Sequence, residues 1–280
     1  MILGFLGKGG SGKSSVSSQI ALFLNSKGKN VLAIDADHNM DLSFNLNGGE
    51  PEGIKYFSES LSDLKDSIGL KDGEKSSDAI ISGTDIRFSL TPLSEVIKKY
   101  SKKLNGGIRL MTAGPQTEDV LHDKACSHIL TTPLKALLPL MSLKDDEFVV
   151  VDEKAGADGV STGIVTGIDV GVIVCEPSLH SVKTANQISE LMDFYKTPYI
   201  FVGNKIESKE DEEYINSNLR NSPTCFLPAS ASLKRDPAIY ESQWEDNLES
   251  ILENVLNISH DDRLERTIEK FKKNRDFKKM

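Results

Sequence analysis

Cysteine is scarce in this 280-residue chain, which carries three, Cys126, Cys175 and Cys225. Three scattered thiols are too few for the disulfide framework of a small secreted domain. Positive charge is also in deficit: 33 Lys and Arg stand against 42 Asp and Glu, a formal net charge of -9. That balance argues against bulk electrostatic binding to nucleic acid, and no nucleic-acid partner is expected. No apolar run reaches the roughly 20 residues that a membrane-spanning helix needs. No charged, apolar, small-residue leader precedes the first apolar run, because Met1 leads directly into it. A reduced, cytoplasmic protein is expected. What remains is a chain 38% hydrophobic and 27% charged, long enough for one large α/β domain or two small ones.

The most informative stretch is Gly7-Lys8-Gly9-Gly10-Ser11-Gly12-Lys13-Ser14. Met1 to Leu6 ahead of it reads as a buried strand. Val16, Ile20, Leu22, Phe23 and Leu24 behind it recur at helical spacing. A glycine-rich turn between strand and helix is the setting of a phosphate-binding loop. Glycines let the backbone curl until successive N–H groups point at one anion, and the helix adds its positive dipole end. Gly9, Gly10, Ser11, Gly12, Lys13, Ser14 and Ser15 are therefore the expected nucleotide-phosphate cradle. Lys13 would reach the β- and γ-phosphates, and the Ser14 hydroxyl would hold Mg²⁺. The alternative is a glycine-rich turn with a chance Gly-Lys-Ser.

Further apolar runs end in polar motifs. Val31 to Ile34 leads into Asp35-Ala36-Asp37-His38-Asn39-Met40-Asp41, and Phe148 to Val151 leads into Asp152. Carboxylates at the exits of parallel strands face the ligand crevice of an open α/β sheet. Val170 to Cys175 runs into Glu176-Pro177-Ser178, with Pro177 and Ser178 suited to starting a helix. Tyr199 to Val202 leads to Gly203-Asn204-Lys205, and Phe226-Leu227-Pro228-Ala229-Ser230 reads as the last strand. Strands alternating with helices predict a mostly parallel sheet flanked by helices. Residues 47 to 107 are less regular and read as an excursion over one side of the site. Asp236-Pro237 is expected to open a helix carrying Ile239, Trp244, Leu248, Ile251 and Val255.

The early lysine of Lys8-Gly-Gly-Ser-Gly-Lys-Ser makes the loop resemble the deviant Walker A motif of the Min/Par, arsenite-pump and nitrogenase iron-protein superfamily of P-loop ATPases. The resemblance implies that Lys8 acts on the partner subunit's nucleotide, so that ATP bridges a homodimer. It implies that Asp37 orients the attacking water, and that Asp41 and Asp152 lie near Mg²⁺ with Ser14. It also implies that Asn204 reads the base, with Lys205 and Pro228 beside it. Ala155-Gly156, Glu176-Pro177-Ser178 and the position of Cys126 are similar to the nickel-insertion ATPases that mature carbon monoxide dehydrogenase, which implies a client metalloenzyme. Those ATPases carry Cys-x-Cys where this chain has Cys126-x-His128. Thiolate plus imidazole suits Ni²⁺ or Zn²⁺, and two copies would give an S₂N₂ site. A half-buried cysteine beside a helix-start histidine is the alternative. A second cysteine near Asp152 is lacking, which disfavours an iron–sulfur cluster.

Residues 1–258 are expected to form the ATPase domain and 259–280 a basic helical tail. In that tail Leu264, Ile268 and Phe271 share one face among many lysines and arginines. It reads either as a helix packed on the domain or as a membrane-surface helix of the Min type; the short apolar face favours the first.

Overall fold

The computed structural model describes residues 1–70, 75–115, 131–161, 163–259 and 262–277. Its centre is an eight-stranded sheet in the order β3-β4-β2-β5-β1-β6-β7-β8. The strands are β1 (Ile2–Gly7), β2 (Asn30–Asp35), β3 (Lys102–Lys103), β4 (Arg109–Thr112), β5 (Glu147–Asp152), β6 (Val170–Cys175), β7 (Tyr199–Ile206) and β8 (Cys225–Pro228). All pair in parallel except β3 with β4. The antiparallel edge is two exposed lysines long, too short to show as a period in the sequence, and its charges suit an edge strand.

Burial on both faces explains the near-continuous apolar strands. Along β1, Leu3 and Phe5 join one core with Val150 and Val172, while Ile2 and Leu6 join the other with Val149, Val151 and Ile173. On the Phe5 side lie α1 (Lys13–Ser26), with Val16, Ile20, Phe23 and Leu24, and α11 (Glu245–Asn257), with Leu248, Ile251 and Val255. On the Leu6 side lies α8 (Leu179–Phe194), with Val182, Ala185, Ile188 and Met192. Each Val, Leu, Ile, Phe or Met among them contributes about 1.5–3 kcal/mol on burial. Ser178 caps α8, accepting from the Ser181 N–H at 3.3 Å.

The excursion builds core as well as covering it. Its helices α3 (Leu61–Ser67), α4 (Ser76–Ser82) and α5 (Glu95–Lys99) follow α2 (Asp41–Asn47). Phe57, Leu64, Ile80, Phe88, Val96 and Ile97 enter the Leu6-side core. Past it come α6 (Leu134–Leu137) and α7 (Ala157–Ser161), and beyond α8 α9 (Lys209–Asn218) and α10 (Ala231–Arg235). Residues 236 to 241 are not helical, contrary to the expectation from Asp236-Pro237. The buried Gln19 side chain holds them open, donating to the Ile239 carbonyl and accepting from the Glu241 N–H, each at 2.8 Å. The helix starts eight residues later than expected.

The last helix, α12 (Arg263–Phe277), packs against the Leu6-side core through Leu264, Ile268 and Phe271. Arg263 ties it down: Nε donates to the Leu138 carbonyl at 3.2 Å, Nη1 meets Asp169 at 2.9 Å, and Nη2 donates to the Met141 carbonyl. Its apolar face is thus used within the fold. Among the described residues, no helix is long and apolar enough to cross a membrane.

Strand order reverses about β1, where β2 is reached across β5 on one side and β6, β7 and β8 follow on the other. At such a switch point a crevice opens beyond the carboxyl ends of the strands. The exits of β1, β2, β5, β6 and β7 all reach it.

Candidate functional site

The turn leaving β1 sets the floor of the crevice. Gly10 and Gly12 have φ of 83° and 90°, a region that favours glycine. A Cβ on Gly12 would stand 2.1 Å from Asn204 Nδ2. Position 12 therefore needs glycine for its φ and for the close approach of β7. Asn204 Nδ2 donates to the Ser11 carbonyl at 2.8 Å, clamping the loop to β7, while its Oδ1 is buried with no hydrogen-bond partner. The Ser11 N–H donates to the Lys8 carbonyl at 3.0 Å, and Gly12 O accepts the first helical bond of α1 from Val16 at 2.9 Å.

Lys13, at the start of α1, is 6% exposed. Its Nζ lies 3.2 Å from Asp152 Oδ1 and 3.3 Å from Ser14 Oγ. Asp152 ends β5 beside Asp35, its register partner at the end of β2. Asp35 accepts from the Ser43 N–H and hydroxyl at 2.7 and 2.9 Å, and Asp37, 5% exposed, approaches the same group. Glu153 turns to the other face and is fully buried, with Oε1 unpartnered.

One buried cation thus faces an excess of buried acid, and the titration behaviour follows. Burial pulls the Lys13 amine down, but Asp152, Asp37 and Asp35 outweigh it and hold its pKa above the ordinary value. Burial pushes Asp152 up against the opposing pull of Lys13 and Ser14. Burial and then the Asp152 charge push Asp35 up to about 7. Burial likewise lifts Glu153 to about 8. A further cation at this place would relieve the excess of acid. Asp152 Oδ2 is buried without a hydrogen-bond partner. These two features fit the donor set to a divalent cation.

Most residues singled out from sequence converge here: Lys8, Gly9 to Ser15, Asp37, Asp152, Asn204 and Lys205. Asp41 is exposed in the first turn of α2 and stands outside the buried acid cluster. Pro228 ends β8 at the rim, with its carbonyl accepting from Trp244 Nε1 at 3.1 Å. Cys126 and His128 lie outside the described residues, among which no group of three His, Cys, Asp or Glu is arranged to hold a metal. Cys175 and Cys225 are buried, and burial raises their thiols to about 11 and about 12, so they are core residues. Sequence reasoning placed Asp35 and Glu176 at strand exits but gave neither a role in the site, and it gave none to Glu153. For Asp35 the signal is its register with Asp152, which a sequence does not display.

The fold and this loop define a P-loop nucleotide-binding protein of the doubly wound α/β class. The chain belongs to the CobQ/CobB/MinD/ParA nucleotide binding domain family, which matches residues 5–275. An uncharacterised ATP-binding protein of Methanocaldococcus jannaschii is 26% identical over 249 residues, 84% of this chain and 90% of its own length. The carbon monoxide dehydrogenase accessory protein CooC of Rhodospirillum rubrum is 29% identical over 216 residues, 77% of this chain and 78% of its own. Among solved structures, the septum site-determining protein MinD of Pyrococcus horikoshii, complexed with Mg-ADP, superposes with a TM-score of 0.59 at 17% identity, covering 91% of this chain and 95% of its own. The Cyanothece McdA–ATP complex gives 0.60 at 16%, covering 92% and 96%. At those identities the structures speak to the fold.

Proposed function

We propose that the protein is an ATPase that switches between nucleotide states as a homodimer and assists metallocentre assembly in a client enzyme. The observation that carries the ATPase part is the buried Lys13–Asp152 pair under the glycine loop, with Asp37 beside it. The client part rests on the likeness to CooC.

Loop N–H groups and Lys13 would hold the β- and γ-phosphates. Ser14 and Asp152 would hold Mg²⁺, which when bound supplies charge neutralisation at the phosphate oxygens. Asp37 would orient a water in line with the γ-phosphate; its Oδ1 already organises the Asn39 N–H at 3.4 Å and His38 Nδ1 at 3.2 Å. The Asn204 Oδ1 acceptor, free of protein partners, suits the exocyclic amine of adenine. Lys8 stands on the exposed rim, where a second subunit would approach. Transition metal enters this reading as cargo, held between two copies of Cys126 and His128.

Two assays test it. ATP hydrolysis should fall at least tenfold in Lys13→Ala. Anaerobic Ni²⁺ and Zn²⁺ titrations, with and without a non-hydrolysable ATP analogue, should show about one metal per dimer that requires both nucleotide and Cys126. Binding indifferent to Cys126→Ser, or none, removes the metal role. It leaves the other reading, a Min/Par-like positioning ATPase that acts through a protein partner.

A further inference from the structure

Three charges meet above the glycine loop. Glu176 follows β6 directly and is fixed by the start of α8: its N–H donates to Ser181 Oγ at 3.1 Å, and its Oε1 accepts from the Ser178 hydroxyl at 3.3 Å. The carboxylate reaches back over the loop. Oε1 lies 3.6 Å from Lys8 Nζ, and Oε2 lies 2.9 Å from Lys205 Nζ. Lys205 also donates to the Gly10 carbonyl, and Lys8 donates to the Gly9 carbonyl at 3.1 Å. Lys205 takes a left-handed backbone, φ 60°, an unusual conformation for a residue other than glycine, asparagine or aspartate. Burial raises the Glu176 carboxyl, but Lys205 and Lys8 outweigh it and hold it below the usual carboxylate range.

We propose that Glu176 is a positioning residue that holds Lys8 in cis, folded onto its own loop, until a nucleoside triphosphate draws Lys205 and Lys8 away from it. The proposal rests on the ATPase reading and adds what that reading leaves open, namely where Lys8 resides before a partner subunit arrives. An amine bound to its own Gly9 carbonyl and Glu176 is not available to a second active site. The cluster is at the surface, with side-chain exposures of 35% for Lys8, 19% for Glu176 and 48% for Lys205. Contacts of that kind exchange easily, and a triphosphate in the loop presents more negative charge to both amines than one carboxylate does. A diphosphate presents less. The latch therefore discriminates between ATP and ADP at a point separate from the buried Lys13–Asp152 pair.

The test uses Glu176→Gln, which keeps the shape and removes the charge, alone and combined with Lys8→Ala. In nucleotide-free protein, acylation of Lys8 by a dilute amine reagent, followed by mass spectrometry, should rise in Glu176→Gln. Affinity for a non-hydrolysable ATP analogue should rise about two- to fivefold, the range of an exposed charge network, with little change for ADP. In the Lys8→Ala background most of that gain should vanish. A merely structural role would shift ATP analogue and ADP together, and that result overturns the latch, as does weaker binding of the analogue. If the wild type binds no nucleotide, the ATPase reading fails on its own, and the labelling arm still decides: unchanged Lys8 acylation in Glu176→Gln refutes the contact.

Discussion

At the scale of single residues the site is a compromise between burial and charge. Gly12→Ala places a methyl group against Asn204 in a left-handed backbone, so the loop and β7 must separate. Nucleotide affinity should fall more than tenfold, read by titration with a fluorescent analogue, while the sheet remains, read by circular dichroism. Glu153 tests the electrostatics. Its pKa is about 8 when folded, against an ordinary 4.5, so between those values the native chain holds a proton that the unfolded chain has lost. Its contribution to stability is full below pH 4.5 and is lost as the pH rises to about 8, with Asp35 adding in the same direction up to about 7. In nucleotide- and Mg²⁺-free buffer the urea midpoint should fall from pH 5 to pH 8, and Glu153→Gln should flatten that fall. The change for Glu153 is on the order of 4 kcal/mol at most. The positions of Lys13 and Asp152 could be read from sequence because glycine spacing and strand context mark them. The surroundings of Asp35, Glu153 and Glu176 could not, because register, burial and the fold-back of a loop decide them.

At the scale of elements, the parallel strands were legible because burial on both faces writes an apolar run bounded by polar exits. Two local features were not. Gln19 reaches across the fold to keep 236–241 extended, a contact separated by more than 200 positions that overrides a good helix-start signal. The amphipathic pattern of α12 announces an apolar face without saying what covers it. The structure supplies the cover, and with it a prediction. Arg263→Ala leaves the Leu138 and Met141 carbonyls short of a donor and Asp169 short of its ion pair, with the Arg263 side chain 17% exposed and Asp169 at 3%. Stability should drop by about 3 kcal/mol, measured by chemical denaturation. Removal of residues 259–280 should unfold more than the tail, because Leu264, Ile268 and Phe271 close the core that contains α4 and α6. A tail that merely bound membranes would leave the melting transition of the remainder unchanged.

At the scale of the whole molecule, the chain gathers its polar chemistry at one edge of the sheet and carries a net charge of -9. Two such molecules repel at a distance, so association around nucleotide needs specific local attraction. Among the described residues at the loop rim, Lys8 and Lys205 are the cations placed to supply it once they leave Glu176. They are not equivalent: Lys205 lies 2.9 Å from Glu176, whereas Lys8 lies 3.6 Å from it and is the more loosely held of the two. Lys8→Ala should therefore separate binding from association. The affinity of each subunit for a non-hydrolysable ATP analogue should stay within about threefold of wild type, as expected for loss of an exposed contact. The nucleotide-dependent rise in mass, followed by light scattering, should disappear. Turnover per subunit should climb with protein concentration in the wild type, as association completes the site, and stay flat and low in the variant. A variant that still dimerises with the analogue would mean that the shared surface is built without Lys8. Turnover independent of concentration in the wild type would mean that each subunit carries a complete catalytic site of its own.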